Sequence, residues 1–203
     1  MRLKKLGLPI IFIIITLLVF FVLKEQASTP APSSGNTSQY GEFDKKQLSL
    51  TDPSSVWVIA NKQSPLSPID YAPTDLVVPD VNIRANSSAE EKELRKVASQ
   101  ALEKMFEAAK KDGLPLIMAS GYRSYSLQTS VYNRYVKTEG QASADSQSAR
   151  PGYSEHQTGL AVDVGGANRV CEIQDCFANT KESKWIADNA HKFGYIIRYQ
   201  KDT

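Results

Sequence analysis

The sequence predicts an α+β fold, a small mixed or antiparallel sheet flanked by helices and preceded by a single amino-terminal transmembrane helix. Three observations carry that expectation. Apolar residues recur at three and four positions through one long segment around residue 100, the period of a helix with one buried face. Short apolar runs at 114–119, 159–164 and 195–199 are set off by glycine and polar residues, which reads as strands. Ahead of both lies an uncharged stretch, Leu6–Leu23, of the length that crosses a bilayer.

That stretch follows Arg2, Lys4 and Lys5 and is closed by Lys24 and Glu25. As a helix it spans about 27 Å at about 1.5 Å per residue. Positive charge before it, with no excess after it, puts the amino terminus in the cytoplasm and the rest of the chain outside the cell membrane. A cleaved signal peptide is the rival reading, with an apolar region of typically about 7–15 residues. Lys-Glu-Gln-Ala-Ser after Leu23 makes a poor small-x-small cleavage site and no lipobox cysteine is present, so the uncleaved anchor is preferred. Both readings export the remainder of the chain. Residues 1–25 are thus an anchor or signal and 26–47 a linker, where Ala27–Ser38 is too poor in apolar side chains to fold. The folded domain runs over 48–203.

Within that domain the proline-rich opening, to about Asn86, reads as extended wrapping segments with short strands at Val56–Ile59 and Leu76–Val78. Ser88 with Glu91 three later is a capping box, and Gly113 sits where a helix ends, predicting a helix from Ser88 to about Asp112. Leu94, Val97, Ala98, Ala101, Leu102, Met105, Phe106 and Ala109 form its stripe; at that period the stripe is core. Leu114–Ala119 comes next as a strand. Ser126 caps a second helix to about Thr138, with Leu127, Val131 and Tyr135 on one face. Residues 139–155, polar and without a period, read as a surface loop. Gly159–Val164 is a buried strand, Lys181–Phe193 a helix ended by Gly194, and Tyr195–Tyr199 a last strand.

At 203 residues there is room for one ordinary domain and an appendage. With 41% hydrophobic and 23% charged residues the chain is globular, and a net charge of +2 without a basic run argues against a nucleic-acid partner. Its two cysteines, Cys171 and Cys176, are near neighbours in a polar segment. A disulfide-closed loop suits an oxidising exterior; two free thiols are the alternative, since spacing alone does not force a bond.

The chemistry centres on an aspartate in an apolar run, Ala161-Val162-Asp163-Val164. A buried carboxylate costs several kcal/mol unless it is paired or bound to a cation. Upstream stands His156, in Ser154-Glu155-His156-Gln157-Thr158-Gly159. Imidazole nitrogen and carboxylate oxygen are both common zinc ligands, and Gly159 lets the chain turn between them. Taken alone, the pair equally fits a capped turn and an aspartate hydrogen-bonded to backbone amides.

The pattern Ser154-x-His156-x-x-Gly159-x-Ala161-x-Asp163 resembles the zinc-ligand motif of the VanY-type D-alanyl-D-alanine carboxypeptidases and of their relatives, the L,D-carboxypeptidases and D-alanyl-D-alanine dipeptidases. Ser120-Gly121-Tyr122-Arg123-Ser124, followed by Gln128, resembles the same family's second block. Ala149–Tyr153 and Asn189–Tyr199 also look similar, so the resemblance covers roughly Leu76 to Thr203 in order. It implies a zinc-dependent carboxypeptidase that trims D-alanine from the stem peptides of cell-wall peptidoglycan. His156 and Asp163 would be two of three protein zinc ligands. Arg123 would be catalytic, binding the substrate's negatively charged end or steadying the oxyanion. Ser120, Gln128 and Ser154 would line the peptide site alongside it.

One departure matters. The family's third ligand and catalytic base come from a later Glu-x-x-Trp-x-His block, which these 203 residues do not contain. His191, placed by helical phase at the edge of its helix, is not expected to replace the ligand, nor is Glu155, beside His156, expected to replace the base. Zinc catalysis normally uses three protein ligands. The domain over 48–203 therefore reads as carboxy-terminally incomplete, and the chain as given as inactive or weak. Alternatives to D,D-carboxypeptidase activity are a non-catalytic peptidoglycan-binding or regulatory module, an L,D-carboxypeptidase, and a dipeptidase; a free dipeptide substrate would not need a wall-facing tether.

Overall fold

Leu76–Val77 (β1) pairs antiparallel with Leu94–Arg95 (β2) to make the first of two small sheets among the described residues. The computed structural model describes residues 48–198, so the expected membrane span and the expected linker over 26–47 lie outside the described residues. The second sheet pairs Leu116–Ser120 (β3) with Asp163–Gly166 (β4), also antiparallel. Ile83 adds a parallel bridge to Met118, so the pairing is mixed at that edge. Around these strands lie the helices Lys96–Lys111 (α1), Tyr125–Glu139 (α2), Gln141–Gln147 (α3) and Lys181–Asn189 (α4). The α+β class is the one expected.

The apolar stripe of α1 does build the core. Ala98, Leu102, Met105, Phe106 and Ala109 are buried against Leu116 and Met118 of β3 and against Ile186 and Ala190 at the far end of the chain. Fully burying a side chain such as Leu102 contributes about 1.5–3 kcal/mol. Val97, on the expected stripe, instead lies about half exposed.

The start of α1 departs from expectation. Ser88 and Glu91 do form a reciprocal capping box: the Ser88 amide donates to Glu91 Oε2 (3.0 Å) and the Glu91 amide to Ser88 Oγ (3.3 Å). The box opens only a single 3₁₀ turn, Glu90–Lys92, after which the chain enters strand β2 before α1 begins at Lys96. A capping signature marks where a turn of helix begins and does not fix how far it runs.

Other differences have equally local causes. Ser124, not Ser126, caps α2 by accepting from the Leu127 amide. The buried positions of α2 are Gln128 and Tyr132, one step out of phase with Leu127, Val131 and Tyr135. The expected loop over 139–155 contains α3, whose polar sequence hides a helix with only Ala144 buried. Arg150 and Tyr132 both bond the carboxylate of Asp145 and tie α3 back to α2. Val56 and Trp57 lie in a turn and Val58 and Ile59 are irregular, in place of the expected strand. Tyr195–Arg198 is irregular: Tyr195 and Ile197 pack on the core, and the Tyr195 hydroxyl donates to Ala98 O (2.7 Å). Tyr199 lies outside the described residues. The helix expected over Lys181–Phe193 is α4 plus a 3₁₀ turn, Ala190–Phe193, ended by Gly194 at φ +85°. Cys171 and Cys176 are joined in a disulfide.

Candidate active site

The strand expected over Gly159–Val164 begins only at Asp163, and that shift decides where the chemistry sits. On β3 and β4, Met118 faces Val164 and Ser120 faces Asp163, so one extra residue, Ala119, is taken up on β3. A bulge of this kind re-aims the side chains beside it. It sets Ser120 opposite Asp163, and the Ser120 hydroxyl donates to Asp163 Oδ2.

His156 arrives from another direction. It lies in the 3₁₀ turn Glu155–Thr158, which Gly159 ends in the left-handed conformation at φ +70°. Its Nδ1 stands 2.6 Å from Gly121 O. A carbonyl only accepts, so Nδ1 carries a proton, and in the neutral form of the ring Nε2 is the nitrogen with a free lone pair. Nε2 lies 3.4 Å from Asp163 Oδ2, and the imidazole is only 15% exposed. Two atoms bonded to one tetrahedral zinc at about 2.0–2.2 Å stand about 3.3–3.6 Å apart. The donor set, separation and tautomer therefore fit one cation shared by His156 and Asp163. Among the described residues no third His, Cys, Asp or Glu joins them.

Arg123 closes the cluster. Its Nη2 donates to Ser120 Oγ (2.9 Å) and Asp163 Oδ2 (3.2 Å), and its Nε faces Glu91 Oε1 at 3.4 Å. Burial acts to raise the Asp163 pKa, but the hydrogen bond and charge that His156 offers when its ring is protonated, with Ser120 and Arg123, outweigh it and hold the carboxyl well below the usual range. Because the folded value is depressed, this cluster's contribution to stability is complete above the unfolded value near 3.9. It is lost only as pH falls through the lower folded value.

The remaining expected residues sit further back. Gln128 is 1% exposed; its amide donates to Ser148 Oγ (3.1 Å) and Ala149 O (2.8 Å), fastening α2 to the segment that leads to His156. Ser154 is buried directly ahead of the histidine turn. His191 is exposed on its 3₁₀ turn. Glu155 is engaged by Arg198, whose Nε donates to Oε1 at 2.7 Å. Three contributors do not stand out in the sequence. Glu91 looks there like a helix cap alone, and the Gly121 carbonyl carries no side-chain signature. Gln157, fully buried, donates to Ile69 O and Tyr71 O and accepts from the Gly152 amide, fixing the histidine turn from behind.

The chain is similar to known proteins in sequence and in fold. The family model described as VanY, D-alanyl-D-alanine carboxypeptidase, matches residues 91–203. The putative carboxypeptidase YodJ of Bacillus subtilis (strain 168) is 42% identical over 191 residues, covering 88% of this chain and 70% of YodJ. Among solved structures, the LdcB LD-carboxypeptidase aligns with a TM-score of 0.69 at 43% identity, over 74% of this chain and 70% of that one. A point mutant of the vancomycin-resistance D,D-pentapeptidase VanY from a VanB-type cassette, in complex with Zn(II), aligns at 0.50 and 30% identity, over 72% of this chain and 78% of that one. The match spans both blocks that converge on Asp163, and the chain belongs to the VanY family of D-alanyl-D-alanine carboxypeptidases.

Proposed function

We propose that the chain carries the metal and substrate-carboxylate part of a zinc carboxypeptidase site that removes D-alanine from peptidoglycan stem peptides. The observation behind this reading is the convergence of His156, Ser120 and Arg123 on one carboxylate, Asp163. His156 and Asp163 would hold the ion, whose chemistry when bound is Lewis-acid activation of water and of the scissile carbonyl. Gly121 O keeps the imidazole in one tautomer, while Ser120 and Arg123 keep Asp163 ionised and turned towards His156. Arg123 presents a planar cation that matches a peptide's terminal carboxylate. Ser154 completes the peptide side, and Gln128 supports it through Ser148 and Ala149.

The higher identity to the L,D-carboxypeptidase LdcB than to the zinc complex of VanY favours, as a second reading, a substrate ending in an L-residue followed by D-alanine. One assay separates the readings. The 203-residue chain, and the same chain extended with a family member's Glu-x-x-Trp-x-His segment, are incubated with zinc and with stem peptides of both endings. No measurable D-alanine is expected from the first, since lack of a base alone costs about 10²–10⁴ in rate. Zinc-dependent release is expected from the second, with Arg123→Ala lowering kcat/KM by about 10–100-fold through KM. The peptide that is cut decides between D,D and L,D cleavage. A zinc-loaded, extended chain that cuts neither would replace the hydrolase with a wall-binding module.

Leu6–Leu23 would hold the domain on the outer face of the cell membrane, where stem peptides lie. Among the described residues no helix is long and apolar enough to cross a membrane. Fractionation with amino-terminal sequencing is expected to find the intact chain in the membrane; a soluble product starting after about residue 27 would sink this part.

A further inference from the structure

A capping box in front of a three-residue turn has little helix to stabilise, so the position of Glu91 calls for another reason. Its carboxylate divides its two oxygens: Oε2 accepts from the Ser88 amide, while Oε1 faces Nε of Arg123. Both side chains are largely buried, Glu91 at 18% and Arg123 at 20% exposure. The same turn grips the whole segment that carries Arg123. Glu91 O accepts from the Gly121 amide (2.7 Å), Glu93 O from the Tyr122 amide (2.8 Å) and Glu90 Oε2 from the Ser124 amide (3.1 Å). Residues 121–124 are therefore each held from the 90–93 turn, and at Arg123 the hold is on the guanidinium itself.

We infer that Glu91 is the positioning residue for Arg123, fixing the plane of its guanidinium so that the edge not bonded to Asp163 faces the substrate's terminal carboxylate. This inference rests on the reading of Arg123 given above. A guanidinium on a long side chain has several rotamers, and a charged bond at Nε removes rotation about the last carbon–nitrogen link. Asp163 Oδ2 holds Nη2 from the other side, but a carboxylate that serves a cation has less charge to offer an arginine. Glu91 is the anion that bonds Arg123 without taking part in the proposed metal pair. Among the described residues no group accepts from Nη1, which leaves that donor for a ligand.

The test is an NMR titration of the zinc-supplemented 203-residue chain with two acetylated peptides, identical except that one ends in D-alanine and the other in D-alaninamide. The parent's preference for the carboxylate measures Arg123. Glu91→Gln keeps an oxygen for the Ser88 amide and removes the charge. It is expected to weaken binding of the carboxylate peptide about tenfold and to leave the amide peptide unchanged, a loss of one charged hydrogen bond. Glu91→Asp, with the charge on a shorter reach, is expected to keep part of the preference, and carries the test alone if Glu91→Gln does not fold. An undiminished preference in these variants, or an equal loss for both peptides, would overturn the positioning role. If the parent itself shows no preference and Arg123→Lys behaves identically, the reading of Arg123 falls and this inference with it.

Discussion

Replacing His156 with alanine is expected to remove measurable zinc binding from the chain while leaving its fold intact. The imidazole supplies one of the two donor atoms that the site offers a cation, 3.4 Å from the other. Losing groups that merely orient a ligand costs about 10–100-fold in metal affinity, and losing a ligand outright should exceed that range. The fold should survive because His156 contributes a partly exposed ring to a short turn, whose backbone is held by Gln157 and by the Arg123 amide on His156 O (3.2 Å). Titration calorimetry measures the first effect directly. A thermal melt checks both together: zinc should raise the midpoint of the parent chain by mass action and leave His156→Ala unmoved. Ser120→Ala is the graded comparison, since it removes the hydroxyl on Asp163 but no ligand, and should lose affinity within the orienting range. A zinc-dependent shift surviving in His156→Ala would mean the cation binds elsewhere.

The parts of this site that are legible in the sequence are those where side-chain chemistry and spacing coincide. A histidine and an aspartate around a glycine turn suggest a shared cation, and the family pattern gives Arg123 and Ser120 their places beside them. The core is legible for the same reason: Leu102, Met105 and Phe106 repeat at helical period because one face of α1 is buried. The parts that stay hidden depend on backbone. The extra residue at Ala119 that turns Ser120 towards Asp163 has no sequence signature. The late start of the Asp163 strand is likewise invisible, because an apolar run does not say which of its residues are paired. Polar α3 shows no period for want of a buried face. Val56–Ile59 has the composition of a strand, although Val56, Trp57 and Ile59 are all about half exposed. Glu91 is fully accounted for as a cap in the sequence, and only the fold reveals that its second oxygen lies at Arg123.

Gly121→Ala should do the most damage for the smallest change in side chain. A Cβ built there would overlap Glu93 O and stand 2.5 Å from Met118 Cε and 3.2 Å from Leu94 Cδ2. The decisive neighbour is the Glu93 backbone oxygen, which no rotamer change can move aside. The Glu93 carbonyl is already accepting from the Tyr122 amide, and Met118 and Leu94 are fully buried. The segment 120–124 would have to move off the 90–93 turn, which stretches the bond from the Gly121 amide to Glu91 O. The same movement carries away Gly121 O, the group that fixes the tautomer of His156. Overpacking of this kind costs about 1–3 kcal/mol, and each weakened hydrogen bond about 0.5–1.5 kcal/mol more. For a domain of this size a loss of about 3 kcal/mol lowers Tm by roughly 6–12 °C. Zinc affinity should fall within the orienting range of about 10–100-fold, since both ligands remain but one loses its support. Gly113→Ala separates steric contact from backbone preference. Gly113 holds a positive φ of +76° with nothing within 4 Å of an added methyl, so its cost should be only the roughly 1–2 kcal/mol of a left-handed alanine, with zinc affinity untouched. If Gly121→Ala instead melted with Gly113→Ala and bound zinc like the parent, the 120–124 segment would be free to adjust, and its grip by the 90–93 turn would not be what aligns His156.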